Sequence, residues 1–131
     1  MSWNYRCPSC EARLDPGRAI VLVAAHGDQR ILIGFHPKPG TYDVYLPPGV
    51  DAEDGTLWNF YCPVCHADLA TAEDVNLCEL ELWVDDAPVR ILFSRIAGEH
   101  ATFIVYGGRV REKHGRDASR YDKLWEPLNS S

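Results

Sequence analysis

The chain of 131 residues carries a formal net charge of −6, a pI near 5.2 and 46% hydrophobic residues. That length and composition suit a single domain, 1–131, and argue against disorder. The acidic balance disfavours a broad nucleic-acid footprint while leaving room for a local basic patch, and no apolar run of about 18 residues is present to cross a membrane as a helix.

Taken in chain order, Met1-Ser2-Trp3-Asn4-Tyr5-Arg6 lacks the charged start and apolar run of a signal peptide, so a cytoplasmic location is expected. Ile20–Ala25 is apolar and rich in β-branched residues, His26-Gly27-Asp28-Gln29 supplies turn chemistry, and Arg30–Phe35 is a second apolar run, which together predict a hairpin. Pro37-Lys38-Pro39-Gly40 breaks the pattern, Tyr42–Leu46 reads as a third strand, and Pro47-Pro48-Gly49 ends it. Leu57–Tyr61 then leads into a second cysteine pair.

In Cys78–Val84 the apolar residues alternate with acids, the period of a half-buried strand. Asp85-Asp86-Ala87-Pro88 is a turn, Val89–Ser94 a strand, Ala97-Gly98-Glu99 a turn, Thr102–Tyr106 a strand, and Gly107-Gly108 a turn. Beyond Gly115 the residues Ala118, Tyr121, Leu124 and Trp125 recur at helical spacing, with Asp117 placed to cap, so a short C-terminal helix over 116–126 is predicted, followed by a frayed tail.

The chain also resembles itself. Residues 3–14, W-N-Y-R-C-P-S-C-E-A-R-L, match residues 58–69, W-N-F-Y-C-P-V-C-H-A-D-L, at seven of twelve positions with an offset of 55. A weaker echo at an offset of 60 aligns Arg30-Ile31-Leu32-Ile33 with Arg90-Ile91-Leu92-Phe93 and implies five extra residues between knuckle and hairpin in the second half. Shared metal geometry would explain repeated cysteines and prolines but not the repeated Trp-Asn pairs. The reading is a duplicated unit with pseudo-repeat halves 1–57 and 58–115.

Cys7, Cys10, Cys62 and Cys65 form two C-P-x-C pairs. Two cysteines separated by two residues wrap one turn around an ion, and backbone amides in that turn face the sulfurs. Proline after the first cysteine fixes φ and favours the turn. Each half then supplies two of four ligands, and neither completes a tetrahedral site alone. Disulfides are the weaker reading, given five cysteines and no sign of secretion. Zinc is the expected ion and iron the alternative, since sulfur ligands alone do not separate them. His66 adjoins Cys65, but four thiolates complete the shell and Glu11 stands at the matching position. Cys78 falls on the apolar face of its strand and reads as a buried, inert thiol.

These knuckles resemble those of zinc ribbons. Two CxxC pairs about fifty residues apart, each feeding a β meander, also resemble the β-tent folds, which include Yippee-like, cereblon-type and methionine sulfoxide reductase B proteins. That resemblance implies a mainly β fold, with two antiparallel sheets around a four-cysteine zinc site. The chain does not match the reductase's catalytic cysteine motif. The ligand-binding members use an aromatic cage; Trp3, Trp58, Trp83 and Trp125 could build one, although packing roles fit the repeat better. The site also resembles that of rubredoxins, but Glu11 and His66 stand where rubredoxins and zinc ribbons favour glycine. A local similarity of Asn59-Phe60-Tyr61-Cys62-Pro63-Val64-Cys65 to small zinc subunits of carboxylases completes the set.

The function expected is a non-enzymatic structural-zinc module that acts as an accessory or subunit in a protein complex. No paired carboxylates in a known motif, Ser/His/Asp arrangement or phosphate-binding glycine loop is present in the sequence. The alternatives are a rubredoxin-like iron electron carrier, a nucleic-acid-binding zinc ribbon using Arg109-Val110-Arg111-Glu112-Lys113-His114-Gly115-Arg116, and a β-tent that binds a small ligand between its sheets.

Overall fold

The computed structural model describes residues 3–15, 19–38, 41–71, 74, 76–85, 87–107 and 109–122, with the backbone alone described at Trp3. Nine strands occur among them: β1 (Trp3–Arg6), β2 (Ile20–His26), β3 (Gln29–Phe35), β4 (Val44–Tyr45), β5 (Asn59–Tyr61), β6 (Leu77–Val84), β7 (Ala87–Ser94), β8 (Thr102–Tyr106) and β9 (Arg109–His114). They form two antiparallel sheets, one ordered β4-β3-β2-β5 and the other β1-β6-β7-β8-β9. The mainly β expectation is met.

Alternation sets which face is buried. Ile20, Leu22 and Ala24 of β2 point inward, as do Leu80 and Leu82 of β6, and they join Tyr5, Phe60, Ile33 and Ile91 in the core between the sheets. A smaller cluster, Leu77, Leu92, Phe103 and Val105, lies on the other face of the five-stranded sheet under Ala118 and Tyr121. Pro88 is accommodated on β7 because β8 pairs only with Arg90–Phe93, which leaves the edge beside the proline without a ladder to join.

The strands that lead into the two cysteine pairs change places. β1 runs beside β6, with Tyr5 opposite Leu82, while β5 runs beside β2, with Phe60 opposite Ala24. Each sheet is therefore completed by a strand from the other half of the chain. The hairpins superpose in register at an offset of 58: Ala24 faces Ile31 as Leu82 faces Val89, and Gly34 faces Tyr45 as Leu92 faces Phe103. This corrects the offset of 60 suggested by Arg-Ile-Leu. The Arg-Ile-Leu echo falls two residues out of step, on the same faces of the strands. The hairpin turns agree as well, with positive φ at Gly27 (58°) and Asp85 (56°).

The predicted C-terminal helix over 116–126 is corrected to a 3-10 turn, Ala118–Tyr121; Leu124 and Trp125 lie outside the described residues. Asp117 makes no side-chain cap. Its Oδ2 accepts from the backbone amide of His100 at 2.9 Å, so the carboxylate serves a tertiary contact instead. Ala118 and Tyr121, three apart, match the 3-10 repeat, and both are buried.

Candidate metal centre

Each cysteine pair closes a knuckle, and the two knuckles are built alike. Cys7 N–H donates to Ala12 O at 3.0 Å and Cys62 N–H to Ala67 O at 3.0 Å. Glu11 N–H donates to Cys7 O at 2.9 Å and His66 N–H to Cys62 O at 3.0 Å. Leu14 and Leu69 return to Tyr5 O and Phe60 O at 2.8 and 2.9 Å. The amides of Ser9 and Val64 point at the sulfurs of Cys7 and Cys62, both at 3.3 Å. Glu11 and His66 take the left-handed conformation, at φ 63° and 65°, where glycine is the ordinary choice.

The exchanged strands bring the knuckles together. The Sγ atoms of Cys7, Cys10, Cys62 and Cys65 all lie within 4.8 Å of one another. Cys7 Sγ is 3.8 Å from Cys65 Sγ, and Cys10 Sγ is 3.8 Å from Cys62 Sγ. Four sulfurs about 2.3 Å from a common centre in a tetrahedron stand about 3.8 Å apart, so the donor set fits a metal ion. A disulfide needs about 2.05 Å, and all five cysteines are free. Cys7 and Cys62 are fully buried while Cys10 and Cys65 are exposed, which places the cluster at the protein surface with one side in the core.

Burial pushes the Cys7 thiol up to about 12, against the backbone amides of Cys10 and Ser9, which favour the thiolate. At Cys62 burial acts in the same direction but is outweighed by the amides of Cys65 and Val64 and by the neighbouring thiols, which leave it below its ordinary value. Four thiols at this separation ionise together only when a cation holds them.

Comparison with family models, with curated proteins and with solved structures returns no match to the chain. The site therefore rests on its own geometry.

The other residues singled out in the sequence fall elsewhere. His66 is exposed and is not part of the cysteine cluster. Cys78 is completely buried, and burial raises its thiol well above the ordinary value. Trp58 is buried, tilted against His26 at 5.2 Å, with its Nε1–H donating to Thr56 Oγ1. Trp83 lies on the opposite face of β6 from Leu80 and Leu82 and carries the Arg6 guanidinium over its ring at 4.5 Å. The Trp3 side chain and Trp125 lie outside what is described. On β9, Arg109, Arg111 and Lys113 are exposed, but Lys113 pairs with Asp122 and Arg111 donates to Tyr106 O; beyond the strand, Arg116 pairs with Asp117.

A cavity of about 270 Å³ lies between the inner faces of the sheets, where the small-ligand alternative would place its ligand. Its walls include Ile33, Phe35, Leu80, Ile91 and Phe93, residues that the alternating pattern assigns simply to a core.

Proposed function

We propose that this chain is a non-enzymatic module in which Cys7, Cys10, Cys62 and Cys65 hold one structural zinc ion, and that it serves as an accessory or subunit of a protein complex. The observation that carries the reading is the tetrahedral spacing of four sulfurs drawn from two exchanged knuckles. Four thiolates fill the shell and leave no position for a substrate or an activated water, which favours a structural ion over a catalytic one. Iron fits the same sulfurs; the long separation of the two knuckles in the chain is what favours zinc. The matching knuckle hydrogen bonds and the constant offset of 58 in the hairpins support an origin by duplication of one half.

A protein partner suits the outer face of the four-stranded sheet. Leu32 and Tyr45 stand there, 59% and 52% exposed, beside the half-buried Val21 and Val23.

Metal analysis of the purified protein is expected to give one zinc per chain in a colourless sample. A coloured protein that bleaches on reduction would make it the iron carrier instead. Co-purification from the native host should recover a partner that Leu32→Glu loses. A chain that runs alone in that experiment would contradict the subunit role while leaving the metal assignment standing.

A further inference from the structure

We propose that the cavity between the sheets is a binding site for a small amphiphilic carboxylate, with an apolar acyl or aryl body among the inner side chains and the carboxylate at the mouth. The two sheets are joined at the knuckles and by the aromatic rings of Phe35, Phe60 and Phe93. Beside those rings they leave a space of about 270 Å³, just under the ~300 to 1,000 Å³ common for small-molecule sites. Its wall is aliphatic and aromatic: Ile33, Phe35, Trp58, Leu80, Ile91 and Phe93. Protein interiors otherwise pack to crystal density, and side chains facing a space of this size forgo contacts that an apolar occupant would restore.

The mouth supplies the polar end. Lys38, His36 and His100 line it. The backbone N–H of Lys38 donates to His36 Nδ1 at 3.1 Å, so Nδ1 is an acceptor and Nε2 carries the ring proton available to an anion. His100 lies flat on Tyr42, with ring centroids 4.3 Å apart and planes 5° from parallel. It is pinned by two backbone-level contacts with Asp117, His100 N to Asp117 Oδ2 at 2.9 Å and Asp117 N to His100 O at 2.8 Å. Glu99, the acid among the described lining residues, is already engaged: Oε1 accepts from Ser94 Oγ and Tyr121 OH, and Oε2 pairs with Arg120 at 3.2 Å. The Lys38 ammonium, the two imidazoles, the buried Arg95 guanidinium, which also donates to Asn59 Oδ1, and an ion-paired Glu99 together favour an anion over a cation in this recess.

The metal-bound protein is titrated with sodium octanoate and with phenylacetate, followed by calorimetry and intrinsic tryptophan fluorescence, with 1-octanol and octylamine as comparators. Octanoate or phenylacetate should bind saturably at one per chain, with octylamine about tenfold weaker or more. Lys38→Glu should weaken octanoate by about fivefold or more and leave 1-octanol unchanged. Ala52→Phe, which fills the cavity from its wall, should abolish binding at unaltered metal content. Intermolecular NOEs from the octanoate chain to the rings of Phe35 and Phe93 test the same site without any variant. Absence of saturable binding at about 10 mM of either acid, equal affinity for octylamine, or NOEs that place octanoate elsewhere would each overturn the proposal. None of these outcomes touches the metal assignment.

Discussion

Phe35 on β3 and Phe93 on β7 occupy equivalent positions in the two hairpins and meet edge to face, with ring centroids 5.6 Å apart and planes at 62°. Phe60, from the strand that crosses into the β2 sheet, touches both, at 5.5 and 6.1 Å. Two residues related by the offset of 58 thus contact each other across the gap between the sheets, and this aromatic group couples the sheets alongside the sulfur cluster and the hydrogen bond from Arg95 to Asn59 Oδ1 at 2.6 Å. Aromatic pairs of this geometry add roughly 0.5–1.5 kcal/mol beyond the area they bury. Phe93→Ala should therefore destabilise the protein by about 2–3 kcal/mol, less than for a fully enclosed ring because the site already borders a cavity. Equilibrium denaturation compared with the parent protein measures it.

Gly115 allows the chain to turn back beside the cavity mouth. Its φ is 100°, and a Cβ there would stand 2.2 Å from His100 O and 2.5 Å from the Tyr42 hydroxyl. Gly115→Ala should cost about 2 kcal/mol or more, since strain and backbone overlap act together. The measurable signature is a loss of thermal stability together with a shift of the His100 ring resonances as the stack on Tyr42 moves.

Glu11 and His66 hold the left-handed turn position of each knuckle without being glycine. Replacing either by glycine relieves that conformation while adding freedom to the unfolded chain, and the balance favours the folded state. Glu11→Gly and His66→Gly should each stabilise the metal-bound protein by about 0.5–1 kcal/mol. Because both turns close on the same sulfur cluster, the double variant measures how far the two knuckles are coupled through it. Thermal melts at fixed zinc concentration check both.

Cys78 has no exposed surface, and burial raises its thiol well above the usual value, whereas Cys10 and Cys65 reach the surface. Thiolates rather than thiols react with alkylating agents. In the metal-bound protein iodoacetamide should label slowly everywhere. After chelation Cys10 and Cys65 should react first, followed by Cys7, Cys62 and Cys78 as the chain unfolds without its ion. Mass mapping of the adducts over time shows the order.

The sequence made the cysteine pairs legible because metal geometry confines four ligands to a short, recognisable spacing. The apolar, β-branched run Ile20–Ala25, and the alternation of Leu80 and Leu82 with acids, give β2 and β6 close to their observed bounds. The exchange of β1 and β5 was not legible, because which strand an edge accepts is decided by long-range pairing that Trp3–Arg6 does not encode locally. The hairpin offset was misread because Arg30-Ile31-Leu32 and Arg90-Ile91-Leu92 are chemically alike although two residues out of register, and a shift of two leaves every side chain on its own face. The C-terminal helix was over-read: Asp117 looks like a cap, but its carboxylate is taken by His100. The resemblance to β-tents pointed to the space between the sheets, but the cavity's walls were not legible, since Phe35 and Ile91 have the same pattern whether they meet a neighbour or an open space.

The most direct test of the metal centre is X-ray absorption at the metal edge of the purified protein. The expected result is zinc at one per chain with four sulfur neighbours at about 2.3 Å and no light-atom ligand. A shell containing nitrogen or oxygen, fewer than four sulfurs, or a folded chain with no metal would contradict it.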